Sequence, residues 1–158
     1  MIMDGAERIY FAHVTDDWQA GQQAHRSPQH ITFVPPLKVR PALAVSIANE
    51  VAAGFAPFYA TVGEREYFGP KGDIEVYLVE PVNLLKAVQT ALLKKLASKK
   101  VDVAGLKFIN EDYRPHITVK PGHNNPPQTG RRLAIDHLAV MHKDRHYRTM
   151  LSKEYFKP

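Results

Sequence analysis

Two histidines head identical triplets, His30-Ile31-Thr32 and His116-Ile117-Thr118, and each triplet runs on into an apolar residue, Phe33 or Val119. In an extended chain residues i and i+2 project from one face, ~6.5–7 Å apart. His30 and Thr32 therefore share a face, Ile31 and Phe33 take the other, and the second triplet repeats the arrangement. Two such strands, set side by side or across a cleft, would turn two imidazoles and two hydroxyls toward one small anion. Cleaving a phosphodiester near neutral pH needs a base for the attacking oxygen and an acid for the leaving one, and an imidazole with an ordinary pKa of about 6.5 can serve as either. The threonine hydroxyls can hold the non-bridging phosphate oxygens as charge shifts. The scheme calls for no metal and no cofactor.

A three-residue pattern with a free middle position is weak alone. With 8 histidines and 7 threonines in 158 residues, roughly 0.35 such triplets are expected at random. Three occur. The third, His13-Val14-Thr15, runs into Asp16-Asp17-Trp18, an acidic entry that would repel a phosphate. Ordinary uses compete with the chemical one, since strand histidines can be satisfied by neighbours and threonine favours strands for its shape. Lys120 has the face parity of His116 and Thr118 and could meet substrate phosphate, although a lysine at a strand end is more often simply solvated. His142 and His146 stand four apart, a zinc spacing on a helix, but no helical stripe or carboxylate supports it. His25, His123 and His137 follow no usable pattern.

On Gln29-His30-Ile31-Thr32-Phe33 followed by a helix, on Tyr113-Arg114-Pro115-His116-Ile117-Thr118-Val119, and on the separation of 116 − 30 = 86 residues, the chain resembles the two-histidine phosphoesterase superfamily. That superfamily includes bacterial 2′-5′ RNA ligase-like proteins and RNA cyclic phosphodiesterases. The resemblance extends over most of the chain. It implies an α+β fold, bilobed and duplicated, with antiparallel sheets lining a central cleft and helices packed outside. It implies His30 and His116 as the acid–base pair and Thr32 and Thr118 as phosphate-binding hydroxyls. It also implies a 2′,3′-cyclic phosphate at an RNA or nucleotide end as substrate. Two alternatives stand beside this one: trimming of 3′-5′ linkages from RNA ends by the same histidines, and a nucleotide- or RNA-binding module without turnover.

The elements that must position these groups can be read from periodicity. Residues 8–14 are aromatic and β-branched and predict a strand, 16–29 a loop, and 30–34 a short strand stopped by Pro35-Pro36. Leu43, Ile47 and Val51 recur at helical spacing between Pro41 and Gly54, predicting a first helix. Strands are expected at 58–62 and 74–79. Leu85, Val88, Leu92 and Leu96 mark a second helix over 83–98, with Lys94, Lys95, Lys99 and Lys100 near its carboxyl end, where cations suit the helix dipole. Short strands at 106–109 and 116–119, a loop at 121–130, a strand at 133–141 and one more in the tail complete the prediction. The order strand with triplet, helix, strands, helix, strand with triplet reads as two similar lobes within a single domain spanning residues 1–158.

Composition bounds the rest. The chain has no cysteine, so thiolate and disulfide chemistry are excluded, and a net charge of +5 favours anionic partners such as nucleotides or RNA. The apolar stretches are too short to span a membrane, and the start, Met1-Ile2-Met3-Asp4, carries an acidic rather than basic flank. The expectation is a cytoplasmic protein without membrane association, with a monomer favoured, whose partner is its RNA-end or cyclic-nucleotide substrate.

Overall fold

The strand β1 (Arg8–Val14) is apolar on both faces, Ile9 and Phe11 on one and Tyr10, Ala12 and Val14 on the other, and such a strand belongs inside a sheet. A computed structural model, which describes residues 7–123 and 125–158, places it there. The acidic start noted above and Asn124 lie outside the described residues. β1 pairs with β3 (His30–Leu37) on one side and β8 (His137–Lys143) on the other, and β9 (Arg148–Tyr155) and the two-residue β2 (Gln23–Ala24) continue outward. Beyond β3 come β6 (His116–Thr118), β5 (Ile74–Glu80), β4 (Phe58–Phe68) and β7 (Arg132–Ile135). The order is β2-β9-β8-β1-β3-β6-β5-β4-β7, with every pairing antiparallel. Its two lobes meet at the centre, where β3 and β6 are paired through Ile31 and Ile117.

Two helices cover one face. α1 (Pro41–Ala52) opens with proline at its first turn and buries Ala44, Ile47, Ala48, Val51 and Ala52. α2 (Val82–Ser98) buries Leu85, Val88, Gln89, Leu92, Leu93 and Leu96. These stripes join Ile9, Phe11, Ile31, Phe33 and Ile117 in one core. Because the apolar members of both triplets are anchored there, His30, Thr32, His116 and Thr118 are turned to the opposite face. That face carries its own smaller apolar cluster of Tyr10, Ala12, Val14, Trp18, Ala139, Met141 and Met150. Gln89, fully buried, fastens the frame: its Nε2 donates to the Phe33 carbonyl at 2.7 Å and its Oε1 accepts from Asn110 N–H at 3.0 Å.

Five expectations need correction. The strand expected at 58–62 runs on as β4 to Phe68. β3 does not stop at Pro35-Pro36 but continues to Leu37, because a register irregularity sets Ile9 against Leu37 and Phe11 against Val34, and prolines are tolerated where the ladder is already broken. The 16–29 loop contributes β2 at the sheet edge. Residues 106–109 form no strand; Phe108 and Asn110 have φ of 59° and 57°, left-handed values that end extension, and a 3-10 turn at Asn110–Asp112 follows. The expected strand at 133–141 is two strands, β7 on the edge of one lobe and β8 within the other, with Asp136 as the single residue between them. Among the described residues, no helix is long and apolar enough to cross a membrane.

Candidate active site

The registration of Ile31 with Ile117 dictates what surrounds it. In the same antiparallel register His30 lies across from Thr118 and Thr32 across from His116, so each imidazole faces the other motif's hydroxyl. Diagonal positions in such a ladder have Cα atoms ~7–8 Å apart, wide enough for a phosphate to lie between two imidazoles approaching from opposite corners. The four residues singled out from the sequence are thus brought together, each partly buried.

The two histidines are held in the same way. His30 Nδ1 donates to the Pro28 carbonyl at 2.6 Å and His116 Nδ1 to the Arg114 carbonyl at 2.7 Å, in both cases two residues upstream. A carbonyl only accepts, so Nδ1 carries the hydrogen in each neutral ring and Nε2 is left with its lone pair. Each ring also meets an aromatic neighbour: Tyr10 lies 5.3 Å from His30, and Phe68 sits edge-on to His116 at 4.9 Å. Phe68 is covered in turn by the Arg114 guanidinium, which Glu66 holds at 3.4 Å. Tyr113, buried behind the site, donates its hydroxyl hydrogen to the Thr32 carbonyl at 2.8 Å and so ties the approach to one triplet to the middle of the other.

Burial is the main force on both imidazoles. Together with the charges of Lys120, His116 and His123, and against the opposing Pro28 carbonyl, it lowers His30 to about 4. His116 is lowered by burial first, with the Arg114 carbonyl opposing and the Arg114 charge adding. The pair repel as cations, so a proton on one ring makes a proton on the other less favourable. Lys120, half-buried just beyond β6, belongs to this electrostatic neighbourhood.

Several members were missed from the sequence. Tyr10 falls within the expected first strand, Phe68 lies outside every expected element, and Gln89 falls within the expected second helix without any signal of its own. His123, in the 121–130 loop, acts electrostatically on His30, and its buried Nδ1 has no hydrogen-bond partner among the described residues. Tyr113 did carry a signal, since it stands in the Tyr-Arg-Pro-His run that precedes the second triplet.

His13 is elsewhere. It is buried at the end of β1, packs its ring 4.3 Å from that of His137, and is lowered to about 3 by burial and then by the His137 charge. His137 accepts from Val14 N–H at 3.1 Å and donates from Nδ1 to Asp136 at 2.7 Å, so His13, Asp136 and His137 form a compact polar group of three possible metal ligands. His142, buried in β8, and His146, in the turn after it, are not on a helix, so their spacing has no zinc-binding geometry. His13→Ala is expected to keep turnover within roughly threefold of the parent but to melt lower, by loss of a buried side chain. A folded pKa below the unfolded value means that His13 supports the native state above pH ~6.5 and that this support fades as pH falls toward ~3. Melting curves from pH 7 to 4 should therefore fall more steeply for the parent than for His13→Ala; a folded variant without activity would move the site to β1.

A family model described as the 2′-5′ RNA ligase superfamily matches residues 11–146. No curated protein matches the chain by sequence. Among solved structures, TT0787 of Thermus thermophilus is similar with a TM-score of 0.62 and 18% identity over 94% of this chain and 97% of that one. E. coli LigT complexed with NADP+ gives 0.62 and 14% over 97% and 99%, and LigT complexed with 3′-AMP gives 0.58 and 15% over the same shares. At these identities the likeness is one of fold.

Proposed function

The chain belongs to the 2′-5′ RNA ligase superfamily, and from that premise we propose that it opens 2′,3′-cyclic phosphates at RNA or nucleotide ends, with His30 and His116 as acid–base pair. The observation that carries the reading is the matched pair of Nδ1–carbonyl bonds, which leaves two Nε2 atoms free on one face beside two threonine hydroxyls. One neutral imidazole takes a proton from water as its oxygen attacks phosphorus. The other, protonated, gives its proton to the 2′ or 3′ oxygen as that P–O bond breaks, and the product is a phosphomonoester. Thr32 and Thr118 bind the non-bridging oxygens, and Lys120 supplies a positive charge beside them. Nucleotides bound in the LigT structures accord with a substrate of this class.

The pH dependence follows from the lowered imidazoles. In the free enzyme both are largely neutral at pH 7, and the required proton becomes available as pH falls. The profile of kcat/KM, which reports the free enzyme, should be bell-shaped with its maximum below pH 6.5. The profile of kcat should peak at higher pH, because bound phosphate favours the protonated ring. Both limbs belong to the coupled pair. A kcat/KM rising steadily to pH 9, as for attack by free hydroxide, would contradict paired histidines.

The substrate assignment is tested by presenting a 2′,3′-cyclic nucleotide and a 3′-5′-linked oligonucleotide with a free 3′ end in parallel. Conversion of the first to a monophosphate with little shortening of the second is expected. Shortening of the second without conversion of the first would make the chain an end-trimming enzyme.

A further inference from the structure

Cross-strand pairing at one end of the first lobe sets Arg8 of β1 against Lys143 of β8, and Lys143 against Arg148 of β9. Three cations stand abreast on neighbouring strands. Like charges directly opposite one another cost stability in a sheet, so the Lys143–Arg148 pair calls for an anion. By strand parity Arg8 shares the face of Tyr10, which packs on His30, so the row begins one side-chain step from the site along β1. From the other side come Lys120, two residues past Thr118, and Arg26, whose guanidinium donates to the Pro121 carbonyl at 3.1 Å.

Among the described residues, Arg26, Lys120, Lys143 and Arg148 make no ion pair. Arg148 is satisfied through the carbonyls of Asp144 and Tyr147, while the Asp144 carboxylate accepts the N–H groups of His146 and Tyr147 to close the turn. Lys120 is disfavoured as a cation by burial first and then by the charges of Arg148, Lys143 and Arg26, so the group is mutually repulsive. The same turn presents Tyr147, 40% exposed and stacked on His25 at 4.8 Å. A cationic track with an aromatic platform at its end is an arrangement that follows a nucleic-acid strand.

We propose that Arg26, Lys120, Lys143 and Arg148 form a subsite for a second phosphate, the internucleotide phosphate next to the scissile cyclic one, with the following base on Tyr147. The preferred substrate is then an oligonucleotide end rather than a mononucleotide. This rests on the cyclic-phosphate reading of the His30–His116 site, and the test separates the two, because that reading concerns whether a cyclic phosphate opens and this one concerns only a ratio between substrates.

Four 2′,3′-cyclic substrates decide it: a nucleoside without other phosphate, the same with a 5′-phosphate, a dinucleotide, and that dinucleotide with a neutral methylphosphonate link. The dinucleotide should exceed the bare nucleoside in kcat/KM by at least ~10-fold at low salt, with the advantage shrinking as salt rises. The methylphosphonate should lose most of it. In Lys143→Ala/Arg148→Ala the ratio should fall to within about threefold of unity, with a cooperative melting transition showing that the variant is folded. A ratio near unity in the parent, an undiminished ratio in the double variant, or an equal gain from the methylphosphonate would overturn the subsite. A 5′-phosphate alone giving the dinucleotide's full gain would overturn the strand assignment in favour of a mononucleotide site.

Discussion

Replacing His30 or His116 by alanine is expected to lower turnover of a 2′,3′-cyclic nucleotide by at least ~10²-fold, since proton transfer by a placed side chain is worth ~10²–10⁴ in rate. Both rings stand on the face away from the main core and are only partly buried, so truncation opens the site to water rather than leaving an apolar cavity. The variants should fold. Each imidazole is needed at a different bond of the same transition state, so the double variant should fall little below the worse single one. Initial rates on one substrate, with melting temperatures alongside, check this. A folded single variant of near-parent turnover would remove that histidine from the chemistry.

Thr32→Ala and Thr118→Ala should each cost about 10- to 100-fold, less than the histidines, because each removes one hydrogen bond to a phosphate oxygen and moves no proton. The register pairs Thr32 with His116 and Thr118 with His30, so neither hydroxyl can replace the other geometrically. Serine at either position keeps the hydroxyl and should recover most of the loss. Kinetics of the alanine and serine variants at both positions would show it. Equal losses for serine and alanine would mean that the methyl group's packing, not the hydroxyl, is what matters.

Much of this site was legible because its geometry is local. Period-two alternation places histidine with threonine and isoleucine opposite, and an identical triplet in each lobe marks the duplication before any contact is known. The helices were legible for a similar reason: Ile47, Val51, Leu85, Val88, Leu92 and Leu96 repeat at helical spacing and all enter the core. Leu43, expected in the first stripe, lies only partly buried beside it, and Ala44 is buried in its place, a shift that a single methyl could not announce.

What was not legible depends on partners distant in sequence. Residues 133–141 are β-prone on either side of Asp136, and nothing local shows that 132–135 pair with β4 while 137–143 pair with β1 and β9. Pro35-Pro36 ends a strand by propensity, but the register irregularity against β1 leaves room for prolines that no single strand displays. Tyr10 and Phe68 meet the histidines only because β1 lies beside β3 and the end of β4 reaches β6 through β5. Arg8, Lys143 and Arg148 are scattered in sequence and become a row only through strand pairing.

The claim that the two triplets open a cyclic phosphate with their own acid and base is tested by phosphorus NMR of a 2′,3′-cyclic nucleotide incubated with the chain before and after exhaustive dialysis against a strong chelator. The cyclic signal should give way to a monophosphate signal at the same rate in both preparations, and added zinc or magnesium should not accelerate it. Loss of conversion after dialysis, restored by either metal, would contradict the claim.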